Sequence, residues 1–272
     1  MPIPLMKYKQ ITPDEIMTYL LDRDWNLQQK VDGIRARLHV NSLGARVLGN
    51  NGGPLVSTTA APVVRQIMKF GLANPHGTYT LEGEIVDGTW WLFDKPLVHV
   101  PWQARLNYLY QFFFEVPMPD FIRILPTAIT TADKLELWKS IEYAGVEGAV
   151  LKHVKGFFED SSKRSSHVLK CKLTHTVDAF VVDEGGGNGK NGTNNWIEFA
   201  VFDENDRPVK MGRCSTIGKP YAGYGTVIEV KYLYVGAGGK LVQPTHLRNR
   251  PDKSAKDCDM SQLHFVSKEV VL

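Results

Sequence analysis

Lys30-Val31-Asp32-Gly33-Ile34-Arg35 sets a lysine beside a tight turn, with an acid and an arginine close behind it. A lysine so placed can approach a phosphate. When it is desolvated and near other cations it can lose its proton and act as a nucleophile. The aspartate and arginine would set its pKa and orient substrate oxygens. Alone, the pattern also fits a lysine on a strand edge ahead of a hairpin. Further segments bring acids, lysines and an aromatic: Leu81-Glu82-Gly83-Glu84, Trp91-Leu92-Phe93-Asp94, Glu147-Gly148-Ala149-Val150-Leu151-Lys152 and Leu169-Lys170-Cys171-Lys172. Singly, each has a plainer meaning. Glu84 fits a solvated strand residue, Phe93 simple core, and Glu147 a turn carboxylate. Lys170 and Lys172 fit the exposed face of a strand, since i and i+2 point the same way. Their order and spacing along one chain argue against coincidence.

These groups need elements to position them. The 272 residues suit one large or two small domains. Hydrophobic residues make up 43% and charged residues 22%, which excludes a disordered chain, a collagen and a long coiled coil. The net charge of +3 permits a nucleic-acid partner without requiring one. No run approaches the roughly 18 apolar residues of a membrane span, and the start lacks an apolar signal region. Cys171, Cys214 and Cys258 form no CxxC pair, and the histidines form no HExxH, so reduced thiols and no zinc site are expected.

Thr12, Pro13, Asp14 and Glu15 read as the start of a helix whose apolar face is Ile16, Tyr19 and Leu20. Ile34, Ala36, Leu38 and Val40 alternate with Arg35, Arg37 and His39, as in a half-exposed strand fed by a turn at Asp32-Gly33. A turn follows at Gly49–Pro54. A helix over 60–70 is predicted with Val64, Ile67 and Met68 inward and Gly71 as its stop. Tyr79–Val86 and Thr89–Phe93 predict a hairpin turning at Asp87-Gly88. Helices are expected from Pro101, with Trp102, Leu106, Leu109 and Phe113 on one face, and over 132–144, ended by Gly145. Gly148–His153 and His167–Leu173 read as strands. From Val177 onward the chain reads as five short strands, Asp178–Val182, Trp196–Phe202, Val209–Cys214, Thr226–Tyr234 and His264–Val271. Such a run suits a small barrel. Strands and helices lack a βαβ rhythm, which favours α+β.

In order and spacing the chemical segments resemble the covalent nucleotidyltransferase superfamily: ATP-dependent DNA ligases, RNA ligases and mRNA capping guanylyltransferases. Leu247-Arg248-Asn249-Arg250-Pro251-Asp252-Lys253 is similar to the RxDK element of DNA ligases. That element and WLFD favour the DNA-ligase branch over its sisters. The resemblance runs from about residue 25 to residue 253. It implies an α+β fold with a nucleotidyltransferase domain over 1–174, of antiparallel sheets flanked by helices, then an all-β OB-fold domain over 175–272. It also implies an ATP-dependent DNA ligase sealing 5′-phosphate/3′-OH nicks through a lysyl-AMP and a DNA-adenylate.

By that resemblance Lys30 is the nucleophile and Asp32 serves later steps. Arg35 and Glu84 contact the ribose side and phosphate region, and Phe93 stacks on adenine. Glu147, with Glu84, helps hold Mg²⁺ or Mn²⁺. Lys170 and Lys172 contact the α-phosphate. Arg248, Arg250, Asp252 and Lys253 orient pyrophosphate. Two positions depart from the pattern. Asn50 stands where the family often has an arginine that reads the nick phosphate, with Arg46 the nearest substitute. Gln28 stands where a glutamate often recognises adenine, and its carbonyl oxygen can accept from the exocyclic amine. Nicked duplex DNA is the expected partner, held by Lys155, Lys163, Arg164, Lys190 and Lys219, with the Gly185–Gly192 tip as a further contact. A cytoplasmic monomer of bacterial or viral origin is implied, in DNA repair, replication or recombination. Accessory DNA-binding proteins would supply the grip that a minimal form lacks.

Overall fold

The computed structural model describes residues 6–50, 52–75, 77–159, 164–186, 196–236 and 238–265. The chain divides into two compact units between Lys172 and Leu173.

The first unit runs β1 (Lys7–Ile11), α1 (Pro13–Leu21), β2 (Trp25–Gln29), β3 (Ile34–Asn41), β4 (Gly44–Leu48), α2 (Ala61–Ala73), β5 (Tyr79–Val86), β6 (Thr89–Asp94), α3 (Trp102–Glu115), β7 (Ile122–Ile124), α4 (Thr131–Ala144), β8 (Gly148–His153) and β9 (Arg164–Lys172). Its strands form two sheets, ordered β1-β9-β8-β2 and β4-β3-β5-β6-β7. Helix α1 starts on a capping box: the Glu15 carboxylate accepts from Thr12 N at 2.8 Å. Helix α4 starts on Thr130, whose hydroxyl accepts from Asp133 N at 3.2 Å, and ends at Gly145. One core packs Ala36, Leu38 and Val40 of β3 and Leu81 of β5 against Ile67 of α2 and Leu109 of α3.

Several expectations change here. Helix α2 continues through Gly71 to Ala73, because Gly71 packs against Leu38 and Ala45 rather than stopping the helix. Its inward residues are Val63, Ile67 and Phe70, while Met68 faces out at 39% exposure. The arginine face of β3 is not solvated. Arg37 is 2% exposed and pairs with Glu82, because that face looks into the protein. Asp32-Gly33 does not close a hairpin, since β2 and β3 belong to different sheets.

The second unit is one antiparallel sheet of β10 (His175–Gly185), β11 (Trp196–Phe202), β12 (Pro208–Ser215), β13 (Val227–Tyr232) and β14 (Thr245–Asn249), ordered β12-β11-β10-β13-β14. Val177, Val181, Phe199, Ile228 and Val230 form its core. The fifth strand is Thr245–Asn249, not His264–Val271, of which 266–271 lie outside the described residues. Thr245-His246-Leu247-Arg248-Asn249 escapes hydrophobic patterning because its fully buried residue is His246. Among the described residues, no helix is long and apolar enough to cross a membrane.

Candidate active site

Strand β2 ends at Gln29, and Lys30 N then donates to Gly148 O at 2.8 Å. Lys30 therefore stands beside the start of β8. Glu147 immediately precedes β8, and its carboxylate joins two lysines: Oε2 takes Lys30 Nζ, and Oε1 takes Lys172 Nζ at 2.9 Å. The β8–β9 register sets Gly148 opposite Lys172 and Val150 opposite Lys170. Gly148 is required there. Its φ is +137°, and an added Cβ would lie 2.0 Å from Cys171 O. Burial, then the charges of Lys172 and Lys30, lower the pKa of Lys170. Two lysines thus pair with one carboxylate that is 5% exposed, and Lys170 lies within reach of the same charges.

A pocket opens beside them, between the two sheets, with Gln28, Lys30, Arg35, Glu84, Phe93 and Lys152 in its lining. Gly33 lets the chain cross from one sheet to the other, since an added Cβ would lie 2.5 Å from Ile85 O. Phe93 lines the pocket and also packs in a small core cluster with Val31, Val86 and Leu125. Lys152 Nζ lies 4.8 Å from its ring centroid and donates to its carbonyl oxygen at 2.8 Å. Arg35 pairs with Glu82 at 2.8 Å, not with Glu84, and its guanidinium lies 5.7 Å from the Phe93 centroid. Burial pushes Glu84 up to about 7, with Arg35 and Lys30 opposing. Glu84 Oε2 is buried and takes no hydrogen bond.

That orphaned oxygen bears on a divalent cation. Mg²⁺ characteristically takes one or two protein carboxylates together with waters and substrate phosphates. Glu84 supplies an unsatisfied oxygen in the pocket, and Glu147 is a second carboxylate beside it between Lys30 and Lys172, so this donor set fits such an ion. Among the described residues no cluster of three or more His, Cys, Asp or Glu forms an all-protein metal cage.

Residues that sequence reasoning passed over support the wall. Arg105 is fully buried, forks onto Asp94 at 2.9 and 3.1 Å, and donates to Val100 O at 2.7 Å. Burial opposes ionisation of Asp94, but Arg105 and Lys152 hold its carboxyl below the usual range. Lys152 closes the EGAVLK segment, yet its burial was not legible from strand alternation. Burial pushes Lys152 down from 10.5 to about 8. Between those values the unfolded chain holds a proton that the folded chain has released, so this group adds stability as pH rises through that window. Lys152→Met should remove that rise. Urea midpoints at about pH 8 and pH 10 check it, and parallel behaviour of the two proteins would contradict it.

The remaining candidates scatter. Asp32 is exposed in the turn between β2 and β3, and Asn50 and Arg46 are exposed around β4. Arg164 opens β9, and Lys155 and Lys219 are exposed, while Lys163, Lys190 and most of the Gly185–Gly192 tip lie outside the described residues. In the second unit Arg248 pairs with Glu229 at 2.6 Å. Arg250 reaches both Asp252 at 2.7 Å and Asp178 at 2.9 Å, and Lys253 reaches Asp178 at 2.5 Å. Asp178 is the organiser of that cluster, and no spacing rule pointed to it.

Neither a protein-family profile nor a curated protein matches the chain. Solved structures do. A Lig E DNA ligase, studied for DNA binding with a minimal scaffold, is 21% identical at a TM-score of 0.66, over 91% of this chain and 99% of that one. Pmar-Lig is 18% identical at 0.68, over 92% of this chain and 67% of that one. The ATP-dependent DNA ligase of bacteriophage T7, in complex with ATP, is 13% identical at 0.50, over 92% and 99%. At these identities the likeness is one of fold.

Proposed function

We propose that this chain, which has the fold of ATP-dependent DNA ligases, seals 5′-phosphate/3′-OH nicks in duplex DNA at the expense of ATP. The observation that carries this reading is the Glu147 carboxylate joining Lys30 and Lys172 beside a pocket walled by Phe93. Lys30 Nζ attacks the α-phosphorus of ATP, forming a P–N bond and expelling pyrophosphate. AMP then passes to the 5′-phosphate of the nick. Attack by the 3′-OH forms the phosphodiester and releases AMP.

The protein's part is placement and charge. Phe93 stacks on the base, and Gln28 accepts from its amino group. Arg35 faces the ribose. Lys170 and Lys172 neutralise charge developing on the phosphate oxygens, and Asp32 acts in the later steps. Glu84 and Glu147 would hold Mg²⁺, which supplies further neutralisation of phosphate charge. In the second unit, read as an OB-fold domain, Arg248, Arg250, Asp252 and Lys253 orient pyrophosphate. We place the protein in the cytoplasm as a monomer of bacterial or viral origin, serving repair, replication or recombination with accessory DNA-binding proteins.

The test mixes protein, Mg²⁺, ATP labelled at the α-phosphate and a 5′-phosphorylated nicked duplex, read on a denaturing gel. Labelled protein together with lengthened DNA supports the reading. Labelled protein without sealed DNA would move the substrate towards RNA ends or a missing partner. Duplex binding should weaken with salt through Lys155, Arg164, Lys219 and their like. Three phosphate contacts imply a fall of about 40-fold between roughly 50 and 200 mM salt. A flat titration by fluorescence anisotropy would sink this electrostatic grip.

A further inference from the structure

Gln28 is a primary amide, and its two ends ask for opposite partners. The carbonyl oxygen accepts and the NH₂ group donates. Adenine presents an amino donor at its six position, and guanine presents a carbonyl acceptor there. A glutamine that turned freely would serve both bases. What holds the amide therefore decides what the pocket reads.

Gln28 lies on β2, is 1% exposed and lines the pocket. Its Nε2 donates to Thr127 Oγ1 at 2.9 Å. The Thr127 hydroxyl has one proton, and that proton goes to Leu125 O at 3.4 Å. The hydroxyl is thus an acceptor towards Gln28. Turning the amide would set its carbonyl oxygen against Thr127 Oγ1 and would need the hydroxyl proton taken from Leu125 O. With Nε2 held by Thr127, the carbonyl oxygen is the end of the amide left to meet a ligand in the pocket that Gln28 lines.

The segment carrying Thr127 is itself anchored at both ends. Leu125 N donates to Leu92 O at 2.7 Å, next to Phe93. Ala128 N donates to Leu27 O at 2.8 Å, and Leu27 N donates to Ala128 O at 2.9 Å, next to Gln28. Leu125 also lines the pocket. Four residues therefore tie the strand of the stacking aromatic to the strand of the reading amide.

We infer that Thr127 is a specificity-determining positioning residue, holding the Gln28 carbonyl oxygen towards the base so that the pocket takes adenine over guanine. This rests on the nucleotide-binding role proposed above. Thr127 touches no reacting atom and acts only through Gln28.

The experiment compares initial rates of protein labelling from ATP and from GTP, each labelled at the α-phosphate. The same ratio is read at equilibrium by displacement of a fluorescent ATP analogue. Thr127→Val should lower the ATP-over-GTP preference by about tenfold or more, the scale of one mismatched buried hydrogen bond. Thr127→Ser should restore it. Gln28→Glu offers oxygen at both positions and has no amide to turn, so adding Thr127→Val to it should leave the preference unmoved. An unchanged ratio in Thr127→Val overturns the assignment, as does a loss that serine fails to restore. Absence of both label and displacement in the unaltered protein would instead overturn the ligase reading and this inference with it. A Thr127→Val protein that merely lost packing would weaken both nucleotides alike, and that result also counts against it.

Discussion

Lys30→Ala protein should take up no label from ATP and seal no 5′-phosphorylated nick, while its fold survives. The side chain removed is 22% exposed, and Glu147 keeps Lys172 as its partner at 2.9 Å. The loss to stability should therefore stay within about 2 kcal/mol, read as a urea midpoint. The loss to chemistry should be complete within detection, because no other lysine here stands at the end of β2 against Gly148. A second substrate separates chemistry from binding. A nick whose 5′-phosphate already carries AMP needs only attack by the 3′-OH. The variant should still seal that substrate. Sealing of the ordinary nick by the variant would end the lysyl-AMP mechanism.

The largest expected effect on stability is at Arg105→Ala. Arg105 is fully buried and satisfies Asp94, itself 2% exposed, with two hydrogen bonds. Removing one member of such a pair strands the other charge in the interior, at about 3–5 kcal/mol. It also frees the carbonyl of Val100, which takes Arg105 Nη1 at 2.7 Å. Denaturant unfolding of the variant measures the cost. Asp94→Asn added to Arg105→Ala should recover part of it, since the stranded charge is gone. A cost below about 1 kcal/mol, or no recovery in the double variant, would show that the pair is not a unit. Because Asp94 follows Phe93, nucleotide binding should fall with stability in the single variant.

Local rules were legible where each depends on neighbours in sequence. The start of α1 at Thr12-Pro13, the hairpin turn at Asp87-Gly88 and the end of α4 at Gly145 all follow from short-range sterics and hydrogen bonding. The misreadings came where a distant element decided. Met68 and Gly71 exchange roles because β3 and β4 present Leu38 and Ala45 for close approach. Strand β14 was hidden because its inward residue is a histidine, whose Nε2 meets Asn249 Oδ1 at 3.0 Å. The arginines of β3 looked solvated because alternation records polarity and not what lies opposite.

The site divides along the same line. The order and spacing of Lys30, Glu84, Phe93, Glu147, Lys170 and Lys172 singled them out through the resemblance they carry. Sequence by itself determined the chemical inventory, the broad fold class and most helices. Only tertiary structure decided partners: that Glu147 joins Lys30 to Lys172, that Arg35 pairs with Glu82 rather than Glu84, and that Asp178 gathers Arg250 and Lys253. The reason is physical. Whether a charge is solvated, paired or orphaned depends on what packs across from it, and those neighbours come from segments up to 117 residues apart in the chain.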